Sequence, residues 1–157
     1  MLRVFFSIVY QYFQKGDSMI QQMSEINVKT NKKGLYDISR PCVNWAEGQN
    51  ISNGLLTLFV AHTSASLLIQ ENADPDVLKD LEMFFSRLVR ENDPEYLHTA
   101  EGPDDMPAHI RSALTQTQIS IPLKAGRLVL GIWQGIYLYE HRSAAHTRTI
   151  HTHLMGL

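Results

Sequence analysis

The sequence has few of the features that mark secreted, nucleic-acid-binding or membrane proteins. Its one cysteine, Cys42, excludes a disulfide within the chain, so a reducing, cytoplasmic location is expected. A net charge of −2 with 14 scattered Lys and Arg residues argues against nucleic acid as a partner, because phosphate backbones are bound by clustered basic surfaces. There is no Gly-rich phosphate loop, no internal repeat and no low-complexity linker. We therefore expect a cytoplasmic globular protein.

The most prominent apolar run, 2–13, lies near the N-terminus. It is shorter than the about 20 apolar residues that cross a bilayer, so no membrane association is expected. No small-residue cleavage site follows it, as a signal peptide would require. Codons for 15–17 (KGD) can contain a purine-rich ribosome-binding sequence just before Met19. We predict that 1–22 is a leader, that translation starts at Met19 or Met23, and that 23–157 forms one domain.

Length and composition suit one globular domain, with 157 residues, 44% hydrophobic and 19% charged. Alternating and short apolar patterns predict about eight strands, and the apolar segment 55–61 should be a buried central one. Asp74 as N-cap and Pro75 at the first helical position mark the clearest of about three helices. The predicted class is α+β, with a mostly antiparallel β-sheet core.

Several local predictions follow from the same patterns. Segments 24–30 and 35–38 flank a turn and should pair as a hairpin. A helix that begins at Asp105 should turn Ile110, Ala113 and Leu114 inward. Segment 133–142 has apolar residues on both faces, so it should be covered on both sides by sheet, helix or a partner subunit.

The first polar cluster, 62–66, follows the most apolar predicted strand. His62 there is either a core residue or a ligand that points into a pocket. The hydroxyls of Thr63, Ser64 and Ser66 can hold a phosphate, and they can equally cap backbone groups.

The second polar cluster, 98–109, places His98 and His109 on either side of three acidic residues. A helix cap at Asp105 uses one carboxylate, which leaves Glu101 and Asp104 for another role. Near a helix start the dipole favours a neutral imidazole, which is the form that a metal requires. The spacing nevertheless matches no standard zinc signature.

The third polar cluster, 131–142, contains Glu140 and Arg142 on one face of the predicted strand. If buried, the two would pair with each other or with a ligand, and a structural ion pair at a subunit interface is the alternative. Downstream, three histidines are interpreted as solvated edge residues: His146, His151 and His153.

Four segments resemble the YjbQ-type family: 62–77 (HTSASLLIQENADPDV), 98–114 (HTAEGPDDMPAHIRSAL), 126–131 (GRLVLG) and 133–142 (WQGIYLYEHR). The resemblance spans about 24–157 and implies an α+β fold assembled as a homotrimer. It also implies a weak thiamine-phosphate-synthase activity, a transferase reaction that joins a hydroxymethylpyrimidine diphosphate to a thiazole phosphate.

The resemblance implies a polar site made of His62, His98, Asp104, His109, Gln134, Glu140 and Arg142. We expect its three histidines, His62, His98 and His109, to bind a divalent metal, zinc or magnesium, with a fourth position open. Asp104, Glu140 and Gln134 are expected to act in catalysis. The expected contacts to a small phosphorylated ligand are Thr63, Ser64, Ser66 and Arg142. The alternatives are a non-catalytic homotrimer that binds a metal or a phosphorylated ligand, and a purely structural trimer.

Overall fold

The structure, a computed structural model, describes residues 18–157, so most of the predicted leader lies outside it. The described chain contains eight strands and three helices, as expected. The first strand is paired from Ile20 onward, slightly upstream of the predicted domain start at residue 23. In order, the elements are β1 (Ile20–Thr30), β2 (Gly34–Asp37), α1 (Ser39–Glu47), β3 (Gly54–Val60), β4 (Ala65–Glu71), α2 (Pro75–Leu88), α3 (Asp105–Leu114), β5 (Gln118–Lys124), β6 (Arg127–Leu128), β7 (Gln134–Glu140) and β8 (His146–Gly156).

The strands form two antiparallel sheets. The larger sheet has the order β1-β8-β3-β5-β6 and the smaller one β2-β7-β4. Every described strand pairing is antiparallel, which confirms the predicted α+β class. Inward-facing residues of both sheets and of α1 form one hydrophobic core, which includes Cys42, Leu56, Leu58, Leu138 and Leu154. No helix in the described part of the chain is both long and apolar enough to cross a membrane.

The strand pairing corrects two predictions. β1 pairs with β8 and β2 pairs with β7, so the hairpin predicted for 24–38 does not form. β8 lies between β1 and β3, so its histidines are not on an edge strand as expected. Alternation of apolar and polar residues shows which face a side chain occupies, but it does not identify the partner strand.

The helices begin as predicted but differ in the faces they bury. Asp74 caps α2, since its carboxylate accepts the Asp76 backbone N–H at 2.9 Å. In α3, Ala113 and Leu114 are exposed, whereas Arg111 is buried. The helix therefore buries a different face from the predicted one, and on it the Arg111 guanidinium pairs with Glu82 of α2 at 2.8 Å.

β7 is covered on both faces by its own chain. Ile136 and Leu138 belong to the core between the sheets. Tyr139 packs its ring against Phe85 of α2, with ring centroids 5.6 Å apart. Coverage on both faces is therefore as expected, but it requires no partner subunit. The homotrimer stays a prediction.

Three connections between the two sheets lie at one end of the molecule, which we call the crossover end. They are 31–33, 61–64 and 141–145. The strand register brings them together, because Thr30 is opposite His146 and Glu140 is opposite Ala65. The predicted polar clusters therefore meet here, apart from residues near the start of β7.

Candidate functional site

Three side chains converge at the start of α3. Asp105 is the first residue of the helix and His109 follows one turn later, so both point to the same side. His98 lies in the loop before the helix. Its Nε2 is 2.7 Å from Asp105 Oδ2, and Nε2 of His109 is 3.5 Å from the same oxygen. The three candidate ligand atoms lie within 4.8 Å of one another, close enough to share one metal ion after small adjustments.

Arg142 fixes the carboxylate of Asp105. Its Nη1 contacts Asp105 Oδ1, which leaves Oδ2 facing the two histidines. Its Nε donates to Asp104 Oδ2 at 3.3 Å, and its Nη2 donates to the Glu101 carbonyl at 2.7 Å. A hydrogen-bonded group behind a carboxylate is what orients such a ligand toward a metal. Arg142, predicted to contact phosphate, therefore serves here as the support of Asp105.

The roles of the two adjacent aspartates differ from those predicted. Asp105 was expected to cap α3, but Asp104 occupies the N-cap position and makes no side-chain cap hydrogen bond. Burial acts to raise the pKa of Asp104, but the Ser143 backbone N–H and the Arg142 charge outweigh it and lower the pKa. Asp104 is therefore an ionised partner of Arg142 and is poorly suited to act as a base.

Glu140 lies in the core below Arg142 and is fully buried. It accepts hydrogen bonds from Arg148 Nε and Nη2 at 2.7 Å each, from Thr30 Oγ1 at 2.9 Å and from the Arg142 backbone N–H at 3.0 Å. Burial acts to raise the pKa of Glu140, but the Arg148 hydrogen bonds outweigh it and lower the pKa. Of the two partners predicted for Glu140, the Arg142 side chain or a ligand, the first is excluded, because that side chain pairs with Asp104 and Asp105. A buried carboxylate with four donors has no place for a substrate proton, so the structure gives no support to its predicted catalytic role.

Sequence reasoning missed Arg148, although a signal for it exists. Arg148 occupies the same face of β8 as Ile150, Thr152 and Leu154, all of which are buried. A charged side chain in register with buried neighbours needs a buried partner of opposite charge. Strand alternation alone would therefore have singled out Arg148.

His62 is not part of the group formed by His98, Asp105 and His109. Its Nδ1 accepts the Ser64 backbone N–H at 3.1 Å and lies 3.0 Å from Ser64 Oγ. Ser64 is buried, and its Oγ also accepts Arg148 Nη2 at 3.0 Å. The structure therefore brings together two of the three predicted metal ligands, with Asp105 in the third position.

The remaining predicted contacts do not form one ligand site. Ser66 is buried, with its Oγ 2.9 Å from His141 Nε2, so its hydroxyl serves the interior rather than a phosphate. Thr63 is exposed at the crossover end. Gln134 starts β7 and lies six residues, about 20 Å, from Glu140 at the other end. Its amide oxygen accepts the Gly131 N–H at 2.7 Å, which places it outside the site.

A small cavity of about 230 Å³ opens beside His98. Its lining includes Tyr96, Thr99, Gly102 and Met106. The volume suits a small polar group rather than a large cofactor.

Comparison with known proteins shows which family this chain belongs to. The sequence profile described as UPF0047 protein YjbQ-like matches residues 24–157. The chain belongs to this family. A UPF0047 protein of Synechocystis is 49% identical to this YjbQ-like chain over 136 residues, covering 87% of the chain and 92% of the relative. The UPF0047 protein YjbQ of Escherichia coli O157:H7 is 40% identical over 132 residues, covering 83% of this chain and 95% of that relative.

Solved structures agree with this membership. An uncharacterised YjbQ/UPF0047 protein from Clostridium acetobutylicum superimposes with a TM-score of 0.75 at 32% identity, covering 82% of this chain and 97% of that one. A YbjQ-like protein of unknown function from Sulfolobus solfataricus gives a TM-score of 0.83 at 24% identity, covering 89% of this chain and 100% of that one. At this identity the likeness shows only that the two chains share a fold. The expected YjbQ-like fold is therefore confirmed.

Replacing Glu140 by Ala is expected to lower the free energy of unfolding by about 3–5 kcal/mol, because Arg148 would remain buried without its ionic partner. Urea denaturation at pH 7 measures the loss. Glu25→Ala is the control: its exposed carboxylate lies 3.3 Å from His151, and its removal should cost no more than about 0.5 kcal/mol. Equal stability of the two variants would contradict a stabilising role for the buried pair.

The stability of the fold should fall in mild acid because of His141. Burial, with the Arg111 charge as the next cause, lowers the pKa of His141 from 6.5 to about 3. Above about pH 6.5 His141 is neutral in both the folded and the unfolded chain, and the free energy of unfolding is not reduced by its titration. Below that pH only the unfolded chain binds the proton. The free energy of unfolding therefore falls by up to about 1.4 kcal/mol per pH unit.

Urea denaturation between about pH 6 and pH 4 tests this effect. We expect His141→Gln to flatten the dependence of stability on pH, whereas His153→Gln, on the outer sheet face, should keep the wild-type dependence. Parallel curves for wild type and His141→Gln would show that His141 is protonated in the folded state.

Proposed function

We propose that this chain binds a divalent metal through His98, Asp105 and His109 and uses it to hold the phosphate of a small ligand. The proposal rests on the convergence of two imidazole nitrogens and one carboxylate oxygen within 4.8 Å. Two histidines and a carboxylate leave coordination positions open, as in reactive metal sites. Of the two metals expected, this donor set favours zinc, because magnesium prefers oxygen ligands and retains its water.

The charges around the three ligands favour an anion. Arg142 pairs with both Asp104 and Asp105, so its charge offsets one of the two carboxylates and leaves a bound dication in excess of the other. Two neutral imidazoles add no charge. A bound dication would therefore retain much of its positive charge toward the open side, where a phosphate can coordinate.

Our candidate reaction for this site is the weak thiamine-phosphate-synthase activity that the family resemblance implies. In that reaction the diphosphate leaves the pyrimidine methylene carbon, and the thiazole nitrogen attacks the resulting cation. The protein mainly has to position two phosphorylated rings and stabilise the leaving diphosphate. Asp104 and Glu140 would contribute by holding Arg142, instead of transferring protons. The alternative is a non-catalytic protein that binds a metal or phosphate, and we propose a homotrimer in either case.

Untagged wild-type protein should bind one zinc ion per chain. His98→Ala, Asp105→Asn and His109→Ala should each weaken binding by at least about tenfold, because each removes or weakens one of three ligands. Elemental analysis and calorimetric titration measure this. His62→Ala should bind zinc like wild type, and His153→Ala serves as a control for loss of an exposed histidine. A wild type without zinc affinity, or a loss confined to His62→Ala, would contradict the proposed ligands.

The synthase candidate predicts thiamine phosphate formation that depends on added metal. The assay supplies hydroxymethylpyrimidine diphosphate and thiazole phosphate to metal-free and to zinc- or magnesium-supplemented protein. Asp105→Asn should abolish the metal-dependent part of the rate. Zinc bound stoichiometrically without any product would reject the synthase candidate and favour the binding alternative.

A further inference from the structure

We infer that His62 donates a hydrogen bond from Nε2 to the ligand's phosphate beside the metal centre and is not itself a metal ligand. This inference rests on the proposed function, because it requires a phosphate at the crossover end. It assigns His62 a role different from the one that the sequence suggested.

Ser64 determines which ring nitrogen of His62 carries the proton. The Ser64 backbone N–H can only donate, and Nδ1 of His62 receives it at 3.1 Å. Ser64 Oγ lies 3.0 Å from the same nitrogen and accepts Arg148 Nη2, so its own proton is available to Nδ1. The Nδ1 lone pair is therefore occupied, and the neutral ring carries its proton on Nε2. A metal needs a free lone pair on a ring nitrogen, which this arrangement does not offer.

The surroundings of His62 keep its ring neutral. Burial, followed by the Arg148 charge, lowers its pKa. The other groups that influence it are Glu140, which acts in the opposite direction, and His146 and Arg142, which act in the same direction as Arg148. The lowered pKa favours the neutral ring, and although the ring is partly desolvated, the residue as a whole still exposes surface to solvent.

The position of His62 links it to the support of the metal centre. Segment 61–64, which contains His62, is bonded directly to the start of segment 141–145, since the His141 N–H donates to the Ser64 carbonyl at 3.2 Å. The next residue, Arg142, contacts Asp105. Segment 61–64 and the support of Asp105 therefore lie at the same end of the molecule, and the inference places the phosphate between the metal centre and the His62 donor.

His146, at the same end of the molecule, has the opposite tautomer. Its Nδ1 lies 2.9 Å from the Ala144 carbonyl, which can only accept, so the neutral ring has its proton on Nδ1 and a lone pair on Nε2. His146 cannot donate from Nε2 in this state. The chain thus provides a matched histidine for comparison with His62.

The first test is long-range ¹H–¹⁵N NMR of the ¹⁵N-labelled full chain above about pH 7. We expect the Nε2–H pattern for His62 and the Nδ1–H pattern for His146, each assigned from the spectrum of its Gln variant. An Nδ1–H pattern for His62 would overturn the inference whatever the outcome of the metal experiments.

The second test is calorimetric titration of the zinc-loaded chain with inorganic diphosphate. His62→Ala should weaken diphosphate binding by about ten- to hundredfold, as expected for loss of a hydrogen bond to a charged group, while zinc content stays unchanged. His62→Gln, which retains an N–H donor, should recover part of the affinity. His146→Ala should stay within about twofold of wild type. Thermal melts confirm that each variant is folded.

The outcomes separate the inference from the proposed function. Equal diphosphate affinity of wild type and His62→Ala, with zinc bound in both, overturns the inference alone. Diphosphate binding that depends on His62 but not on zinc supports the donor role and overturns the metal function. A zinc-loaded wild type that does not bind diphosphate overturns both.

Discussion

The buried ion pair between Glu140 and Arg148 joins the two sheets and determines the geometry of the crossover end. Glu140 ends β7 in the smaller sheet, and Arg148 lies near the start of β8 in the larger one. Either charge alone would be costly to bury, by several kcal/mol, so the pair favours one relative position of the sheets. Thr30 and Ser64 complete its hydrogen bonds from β1 and from the segment before β4. The three connections at the crossover end are thereby held near one point.

Two apolar side chains of similar size would give comparable stability at this position. They would not give the same site, because only an acceptor at position 140 can bind the Arg142 backbone N–H, at 3.0 Å. That bond orients Arg142, whose guanidinium in turn holds Asp105 toward His98 and His109. The candidate metal centre thus depends on a chain of polar contacts that begins in the core. This dependence explains why Asp104 and Glu140, two of the residues predicted to be catalytic, contact Arg142 instead.

The sequence predicted the elements of the fold more completely than the contacts between them. Alternation and the Asp74 cap identified strands and the main helix, since these signals are local. The partner of β1 was missed because pairing is decided by distant segments. His98 and His109 were identified by their short spacing around acidic residues. Asp105 was not, because a carboxylate at a helix start can either cap the helix or bind a ligand. Only its contacts with Arg142 and the two histidines distinguish these roles.

The case of His62 shows why residue type alone does not predict metal ligation. His98 also faces a polar neighbour, but that neighbour is the Asp105 carboxylate, and the His98 side chain is 46% exposed. Its proton can move to the other ring nitrogen through solvent, which would free Nε2 for a metal while the carboxylate becomes a second ligand. His62 instead faces a backbone N–H, which cannot give up its proton or become an acceptor. The same side chain is therefore a potential ligand at one position and a fixed donor at the other, and the difference lies in the hydrogen-bonding partner.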